Sequence, residues 1–414
     1  MCKFKRDVSV ADPTPRPSPR TPRRSTFSSS TLTAATTFSS SSTSFNSSTT
    51  LSSLRDSLPD RPTLYRPSEI ASATSNFHPS RLLPSSSSGW RCTLRGRSAV
   101  VFLRPFRRGP RDASRLIDRL ASVSRGHHVS LVRLIGAAAS SDGGNLYVAY
   151  EYLPGASLAA CLRNPKNPEY TVLSTWMSRV QIAVDLAQGL EYIHNHAAAA
   201  SPAGNPDRRS APFVHNRIKS SAVIVTEPSF NAKICHFGTA VLSGEVPDDN
   251  AAADPSTSET RRSKSRTMKI EGSRGYMAPE VGISQKSDVY ALGVVFLELL
   301  SGEEPLQYKM VKAKDELERV SLIESARRAM ESTDEDERRR NVRRWVDGRL
   351  KDSFPVEVAE RMARVALECV HEEPEERPDS ARVAGFVSKL YLESMVWEKN
   401  VRVPVDLTVS MGPR

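Results

Sequence analysis

The chain has 414 residues, and its 58 Lys and Arg residues against 47 Asp and Glu residues give a formal charge of +11. At about 150 residues per domain, this length allows two or three domain-sized units with a substantial core. A hydrophobic content of 38% excludes a chain that is disordered throughout. No apolar run is long enough to span a membrane. The 5 cysteines lack CxxC spacing, which argues against zinc ribbons and disulfide scaffolds and favours a reducing, cytosolic location.

The N-terminal residues 1–60 differ in composition from the rest of the chain. Residues 1–24 are basic and proline-rich, and 21 of the 29 residues from 25 to 53 are Ser or Thr. Such a segment buries too little apolar surface to offset its ordering entropy, so we predict a disordered tail. Its basic residues would be attracted to an anionic membrane surface, and Cys2 is a candidate for S-acylation. A solvated basic tail without a membrane role is the alternative interpretation.

From Tyr65 onward the pattern is typical of a folded domain. A Ser-Glu pair predicts a helix that begins at Ser68 and runs to Phe77. Hydrophobic patterning then predicts strands at 90–94 and 99–103, a helix at 113–123, a strand at 146–150, and helices at 180–193, 289–300, 362–370 and 383–390. The order of these elements indicates an α+β fold, with a small β-rich lobe followed by a large helical lobe.

Five short motifs follow one another along the chain: EYIH at 191–194, VHNRIK at 214–219, HFG at 236–238, MAPE at 277–280 and SDVY at 287–290. Their order and spacing resemble those of a eukaryotic protein kinase. Residues 65–77 look like the juxta-kinase segment of plant receptor-like kinases, and VRLIG at 132–136 is most similar to the LysM receptor-kinase branch. The chain therefore resembles a plant receptor-like kinase over residues 65–395, which implies the bilobal protein-kinase fold.

The resemblance also implies where the domains begin and end. The boundaries are a tail at 1–60, a juxta-kinase segment at 61–80, a kinase-like domain at 81–397 and a C-terminal tail at 398–414. Within the kinase-like domain, the small lobe covers residues 81–152 and the large lobe covers residues 153–397.

The catalytic positions implied by the resemblance hold residues of the wrong chemistry. Phosphoryl transfer needs one carboxylate to orient the substrate hydroxyl, and a second carboxylate with an Asn to hold Mg²⁺. The matching positions here are Arg217, His236 and Ala222. Arginine cannot accept a proton, imidazole is a poor ligand for Mg²⁺, and alanine has no ligand atom. We expect no intact catalytic residue and no metal site, although Lys219 of the same motif is retained.

The nucleotide pocket implied by the resemblance is degenerate as well. The family has a glycine-rich turn here, because the backbone has to approach the phosphates closely. In this chain serines stand in place of the glycines up to Gly89, which is retained. The lysine position falls on Phe102, or on Arg104 after a two-residue shift, and the hinge matches Tyr150 and Glu151. We expect no cofactor, and binding of ATP without Mg²⁺ is left open.

Two bulky side chains, Trp90 and Phe102, are expected to close this pocket. On the small-lobe helix the glutamate position holds Arg119, with Asp118 one residue earlier, so no Lys–Glu pair can be assigned.

Residues that hold the fold in the family are retained. His215 and Phe237 match buried core positions, Glu280 and Arg377 match a buried ion pair, and Asp288 matches a carboxylate that binds the catalytic-loop backbone. Retention of these residues beside the loss of the charge-handling ones indicates a pseudokinase.

The segment between residues 236 and 280 is long and contains candidate regulatory hydroxyls. Ser263, Ser265 and Thr267 lie among basic residues suited to another kinase, and Ser273 occupies the last regulatory hydroxyl position of the family. An insertion without a regulatory role is the alternative interpretation.

Three functions can be compared on these grounds. A pseudokinase would serve as a scaffold or allosteric partner for membrane-spanning receptor kinases or co-receptors, in the cytoplasm at the periphery of the plasma membrane. The alternative is an active Ser/Thr kinase with displaced parts. Its phosphate-binding and metal-binding candidates are Arg91, Arg104, Asp112, Asp118 and Glu271. A nucleic-acid binder would rest on net charge alone, and the dispersed basic residues lead us to expect no nucleic-acid partner.

Overall fold

The structure is a computed structural model that describes residues 62–83, 88–107, 113–124, 126–199, 213–246, 275–280, 282–311 and 316–401. All of these residues belong to one compact unit, Pro59–Arg414. The N-terminal tail lies outside the described residues, and so do these candidate residues: Cys2, Asp112, Ser263, Ser265, Thr267, Glu271 and Ser273. The predicted domain boundaries therefore stay predictions.

The first part of the described chain is built around a five-stranded sheet in the order β1-β4-β5-β3-β2. The strands are β1 (Thr63–Leu64), β2 (Gly89–Leu94), β3 (Arg97–Pro105), β4 (Leu134–Ala139) and β5 (Asn145–Glu151). Two helices accompany them, α1 (Pro67–Ala73) and α2 (Ala113–Val123). β1 lies parallel to β4, and the other neighbouring pairs are antiparallel. The strands predicted at 90–94, 99–103 and 146–150 and the helix predicted at 113–123 are confirmed.

Strand alternation gives this sheet two different faces, because successive side chains of a strand point to opposite sides. On β3, Ala99 and Val101 pack outward in a cluster with Tyr65 of the segment that precedes α1. Val100 and Phe102 of the same strand face the main core of the molecule. This alternation places Phe102 on the face that lines the cleft below the sheet.

The helix predicted for residues 68–77 was wrong over its last four residues. α1 ends at Ala73, and Ser75, Asn76 and Phe77 have φ values of 54°, 54° and 59°, which no α-helix allows. The turn brings the Phe77 ring to stack on Tyr147, with 5.2 Å between ring centroids. This tertiary contact overrides the local preference for helix.

The close pairing of β1 with β4 depends on the absence of a side chain at Gly136. A Cβ built there would lie 2.2 Å from the carbonyl oxygen of Thr63 and 2.4 Å from the Tyr65 ring. We expect Gly136→Ala to lower the free energy of unfolding by about 1–3 kcal/mol, because the backbone of β1 or β4 has to shift to make room for the methyl group. The melting temperature measures the loss.

The matched control is Gly385→Ala, since a Cβ at this exposed position of the last helix meets nothing within 4 Å. Alanine favours helix over glycine by up to about 1 kcal/mol, so this variant should melt slightly higher than wild type. Equal melting temperatures for the two variants would contradict the proposed role of Gly136.

The second part of the described chain is mainly helical. Its helices are α3 (Leu158–Leu162), α4 (Trp176–Ala199), α5 (Thr239–Ser243), α6 (Gln285–Ser301), α7 (Leu322–Met330), α8 (Glu335–Trp345), α9 (Val356–Cys369) and α10 (Ser380–Val401). A three-stranded sheet is formed by β6 (Gly155–Ser157), β7 (Val223–Thr226) and β8 (Asn231–Ile234), and a hairpin by β9 (Leu306–Val311) and β10 (Glu316–Ser321).

Helix α6 forms the centre of this helical part. Its side chains from Val294 to Leu300 are all buried, as the nearly all-apolar sequence predicted. The helix begins with a capping box in which Ser284 and Ser287 satisfy each other's backbone N–H groups, and it ends at Gly302, whose φ is 73°. The other three predicted helices fall within α4, α9 and α10, although α9 ends one residue early, at Cys369. In the described part of the chain, no helix is both long and apolar enough to span a membrane.

Candidate functional site

The loop that contains Arg217 is anchored by a carboxylate from the first turn of α6. Asp288 is buried, and its Oδ2 and Oδ1 accept hydrogen bonds from the backbone N–H groups of His215 and Asn216, both at 2.7 Å. Asn216 has a φ of 60°, and this pair of charge-assisted bonds holds the turn in that conformation. The loop is therefore rigidly placed beneath the cleft.

Arg217, which the resemblance places at the position of the catalytic base, forms an ion pair with Glu245. The same carboxylate accepts bonds from Nδ2 of Asn216 and from the hydroxyl of Ser243, each at 3.1 Å. Glu245 follows helix α5 directly and is buried. The place where a substrate hydroxyl would lose its proton thus holds a permanently charged guanidinium that is bound within the chain.

The two metal-binding positions supply no side-chain oxygen. Ala222 is buried, and its carbonyl oxygen already accepts a hydrogen bond from the N–H of Cys235 at 2.9 Å. His236 has a φ of 69° and is 7% exposed. Burial, and then the charges of Arg104 and Arg217, lower the pKa of His236 well below its usual value, so the ring is neutral at pH 7. These residues do not fit Mg²⁺, which prefers oxygen ligands.

Phe102, one of the two candidates for the lysine position of the small lobe, is buried. The Phe102 ring meets the His236 ring edge to face, with 4.4 Å between centroids, and lies 6.1 Å from the Tyr150 ring. An aromatic contact, worth about 0.5–1.5 kcal/mol beyond its buried area, therefore joins the sheet to the His236 segment.

The hinge residue Tyr150 makes a second link between the sheet and this segment. Its hydroxyl donates to the carbonyl oxygen of Phe237 at 2.7 Å and lies 2.8 Å from the hydroxyl of Thr239. Burial raises the pKa of Tyr150, so the hydroxyl stays protonated. Oε1 of the other hinge candidate, Glu151, accepts a hydrogen bond from the backbone N–H of Arg133 at 3.1 Å.

A cavity of about 940 Å³ lies between the sheet and the hinge. Val100, Phe102, Tyr150 and Cys235 contribute to its wall. This volume falls in the range of small-molecule sites. Arg91 also lines it, with its guanidinium carbon 3.9 Å from the centroid of the Tyr152 ring. The described residues thus retain an open pocket beside the hinge.

Trp90 does not close this pocket, so the expectation for it was wrong. Its indole N–H donates to the carbonyl oxygen of Phe77 at 3.1 Å, and the two rings meet edge to face at 5.2 Å. Trp90 therefore faces the juxta-kinase segment. Its neighbour Gly89 lies opposite Phe102 in the strand pair. Because strand side chains alternate, a residue next to a pocket-facing position has to face away.

Three positive side chains lie close together at the inner end of the cleft, and we call Arg104, Arg217 and Lys219 the cationic cluster. Burial, and then the charge of Arg217, lower the pKa of Arg104 to about 10. Burial, followed by the charges of both arginines, lowers the pKa of Lys219. Arg104 donates from Nη1 to the Ser88 hydroxyl at 2.9 Å and to its neighbouring backbone. In the described chain, the buried Nε atoms of Arg104 and Arg217 have no hydrogen-bond partner.

The ion pair expected for Glu280 and Arg377 is present as a bidentate contact, with N–O distances of 2.8 and 2.7 Å. The Arg377 side chain is fully buried and also donates to the carbonyl oxygens of His371, Lys286 and Glu372. The guanidinium therefore connects three places along the chain: Glu280, Lys286 and the His371–Glu372 pair.

His215 and Phe237 are both buried in the core. Nε2 of His215 lies 2.9 Å from the carbonyl oxygen of Cys235, and burial lowers its pKa to about 4. The Phe237 ring lies 5.2 Å from the ring of Phe213. Asp118 is exposed on α2, away from the core face of that helix. In the described residues, no group of His, Cys, Asp and Glu is placed to hold a metal ion.

Comparison with known proteins agrees with this architecture. Residues 107–385 match the model of the protein kinase domain. The chain belongs to the protein kinase family. Its relatives include two receptor kinases of Arabidopsis thaliana, LysM domain receptor-like kinase 3 (30% identity over 82% of this chain and 48% of the relative) and Chitin elicitor receptor kinase 1 (31% over 84% and 49%). PTI1-like tyrosine-protein kinase 1 of the same plant is 32% identical over 78% of this chain and 80% of its own length.

The first two relatives are plant receptor kinases, as the motifs indicated, and this chain spans about half the length of each of them. Among solved structures, the pseudokinase domain of BIR2, an immune regulator of the RLK/Pelle family, aligns with a TM-score of 0.55. The sequences are 21% identical, and the alignment covers 84% of this chain and 96% of that one. The bilobal protein-kinase fold is thereby confirmed.

Sequence reasoning missed one residue of this site, Glu245, which forms the ion pair with Arg217. Nothing in the spacing between Arg217 and Glu245 predicts their contact, because it arises only when the chain folds back after α5. The one available signal was chemical: an arginine at a buried loop position requires a carboxylate partner.

Proposed function

We propose that this protein kinase domain is catalytically inactive and works as a scaffold or allosteric partner of plant receptor kinases. The observation that carries the proposal is the ion pair of Arg217 with Glu245 at the position of the base. A base has to accept a proton from the substrate hydroxyl, and this guanidinium stays charged. Ala222 and His236 remove the metal ligands as well.

A retained core supports a role in binding other proteins. Asp288 anchors the loop that contains Arg217, and the Glu280–Arg377 pair stabilises the helical part, so the fold that would carry a binding surface is held together. A scaffold needs this surface and does not need phosphoryl transfer. The receptor-kinase relatives support receptor kinases or co-receptors as its partners.

We further propose that the chain works at the cytosolic side of the plasma membrane. Cys2 and the basic N-terminal residues would supply the membrane contact, through acylation and attraction to anionic lipids. The hydroxyls of Ser263, Ser265, Thr267 and Ser273 are the proposed regulatory phosphorylation sites.

A phosphotransfer assay tests the proposed inactivity. The full chain is incubated with labelled ATP, a generic Ser/Thr substrate and Mg²⁺ or Mn²⁺. We expect no transfer above that of heat-denatured protein, because the base and both metal ligands are absent. Lys219→Met and the matched control Lys389→Met, an exposed lysine of α10, are assayed beside it. Transfer that is lost only in Lys219→Met would favour the alternative, a Ser/Thr kinase with a non-standard mechanism, a possibility that the kinase relatives keep in view.

The scaffold role needs a separate measurement. The full chain is mixed with the intracellular kinase domain of a LysM receptor kinase, and both complex formation and the autophosphorylation rate of that kinase are followed. We expect a complex and a changed rate. Absence of both at micromolar concentrations would contradict the proposed partner class.

A further inference from the structure

The positive charge of the chain is concentrated in one part, residues 61–133, which we call the arginine-rich segment. It contains 14 arginines, no lysine and 3 carboxylates, and so carries a formal charge of +11. Residues 134–414 contain 36 basic and 40 acidic residues, a formal charge of −4. The described elements of the arginine-rich segment are α1, α2 and the strands β1, β2 and β3. A charge difference of this size orients a molecule in front of an anionic surface.

Many of these arginines lie at the surface. Six of the described ones are exposed: Arg66, Arg81, Arg91, Arg95, Arg97 and Arg107. Acidic residues are sparse along the same stretch, since Glu69 is the only one between positions 61 and 111. The field in front of the surface depends on the sum of all charges within a Debye length of about 8 Å. Attraction of an anionic surface therefore does not require any arginine to lack contacts within the domain.

Three arginines from two distant parts of the chain meet at the edge of the five-stranded sheet. Arg95, Arg97 and Arg133 line a cavity of about 190 Å³ together with Thr63 and Tyr65. We call these three arginines the arginine face. The guanidinium carbon of Arg95 lies 5.1 Å from the centroid of the Tyr65 ring. The fold thus adds a local concentration of guanidinium groups to the charge of the segment.

Arg95 stands at a turn position that usually holds another residue. Arg95 and Gly96 connect β2 to β3 with φ values of 49° and 81°, a type I′ turn whose first position favours Asn, Asp or Gly. Glu69 accepts hydrogen bonds from Nε of Arg95 at 2.8 Å and from Nη2 at 3.1 Å. A guanidinium has five N–H donors, and within the described chain Glu69 uses two of them. The side chain is 57% exposed, so the other donors are accessible to a ligand.

We propose that the arginine-rich segment binds the phosphates of an anionic phospholipid surface, with the arginine face towards the bilayer. Guanidinium groups suit this ligand because their planar donors match phosphate oxygens and are weakly hydrated. Each basic residue near an anionic leaflet adds to the attraction. The proposal rests on the proposed membrane location and adds the folded domain itself as a contact, beside Cys2 and the basic N-terminal residues.

Two observations favour a bilayer over an acidic protein segment as the ligand. The exposed arginines are spread over several elements of the sheet rather than gathered in one groove, which suits a broad, planar partner. The chain also reaches β1, whose Thr63 lines the cavity, from the N-terminal residues that include Cys2. A chain that is held at a membrane through Cys2 would therefore enter the domain beside the arginine face.

Vesicle sedimentation of the unacylated full chain tests the proposal. Vesicles of phosphatidylcholine alone are compared with vesicles that also contain phosphatidylserine, and polyglutamate is the probe for an acidic protein partner. We expect binding to the anionic vesicles only, with release as the salt concentration rises. Tighter binding to polyglutamate than to the anionic vesicles would overturn the proposal in favour of an acidic protein. Absence of vesicle binding would also overturn it and would leave the inactive scaffold in place, because phosphotransfer and complex formation test that function separately.

Paired variants separate the arginine face from net charge. The double variant Arg95→Gln, Arg97→Gln should bind the anionic vesicles about 30-fold more weakly. The control double variant Arg340→Gln, Arg344→Gln removes two exposed arginines of α8 and loses the same charge. Its binding should stay close to that of wild type, because α8 belongs to the acidic part of the chain. Equal losses in the two double variants would overturn the proposal.

A third variant separates the arginine face from the N-terminal charges. Lys3→Gln, Lys5→Gln removes two of these charges, and Arg95→Gln, Arg97→Gln is then added in the same chain. We expect the second change to weaken vesicle binding by the same factor as in wild type, since distant charges contribute independently. If the second change had no effect in either background, the N-terminal residues would be the membrane contact and the arginine face would not.

Glu69→Gln tests the proposal in the opposite direction, because a gain in binding cannot come from misfolding. The substitution removes a carboxylate from the arginine-rich segment and frees two donors of Arg95. Binding to the anionic vesicles should become about fivefold tighter. The control is Glu331→Gln, an exposed glutamate at the end of α7, which should bind as wild type does. Equal affinities for Glu69→Gln and Glu331→Gln would contradict the role of the arginine face.

Discussion

Replacing Arg377 by methionine should lower the free energy of unfolding by about 3–5 kcal/mol, among the largest losses expected for a single substitution here. The change leaves the Glu280 carboxylate and three backbone carbonyl oxygens without their shared donor. For a domain of this size the melting temperature should fall by about 4–7 °C. Denaturant titration followed by tryptophan fluorescence measures the free energy directly.

The matched control is Arg343→Met, since Arg343 pairs with Asp352 at the surface and both side chains are more than half exposed. Exposed ion pairs contribute little, so this variant should unfold within about 0.5 kcal/mol of wild type. Similar losses in the two variants would show that the buried position of Arg377 does not matter.

The same ion pair predicts a pH dependence. The hydrogen bond from Arg377 lowers the pKa of Glu280 below its usual value of 4.5 in the folded state. Its contribution is therefore complete above the unfolded pKa and is lost as the pH falls through the folded pKa. The stability gap between wild type and Arg377→Met should be constant from about pH 7 to pH 5 and narrow below that. A gap that widens in acid would contradict this assignment.

Replacing Glu245 by glutamine should lower the free energy of unfolding by about 3 kcal/mol. The Arg217–Glu245 pair is largely buried, with side-chain exposures of 24% and 7%. The substitution leaves the Arg217 guanidinium without its carboxylate partner, which destabilises the folded protein. Denaturant titration followed by tryptophan fluorescence measures the loss.

Glu335→Gln is the control for this variant. Glu335 pairs with Arg339 one helical turn away on the exposed face of α8, an arrangement worth about 0.3–0.5 kcal/mol. Its free energy of unfolding should stay within about 0.5 kcal/mol of wild type. Equal losses in Glu245→Gln and Glu335→Gln would show that the buried Arg217–Glu245 pair contributes no more than an exposed one.

Much of the fold could be predicted because its signals are local. The helical periodicity of residues 180–193 and the apolar run of residues 289–300 indicated α4 and α6, and five ordered motifs indicated the kinase fold. The assignment of the lysine position to Phe102 or Arg104 stays a prediction, and both residues lie on β3.

The failures lie where distant segments meet. The helix predicted to Phe77 ends at Ala73, because Phe77 stacks on Tyr147, which is 70 positions further along the chain. Trp90 was assigned to the pocket although the period of two in a strand places it on the opposite face from Gly89. Glu245 was missed because no local pattern predicts its contact with Arg217.

The hydroxyl of Tyr150 has a consequence for how the domain could signal. It links the hinge to Phe237 and Thr239 by hydrogen bonds, and the ring of Phe102 contacts the ring of His236. A swing of the His236–Gly238 segment would have to break these buried contacts together, so its alternative positions should be sparsely populated. A domain held in this way would present a single conformation to its partners. In the proposed scaffold function, signalling would then depend on which proteins bind the domain, and conformational changes would occur in those partners.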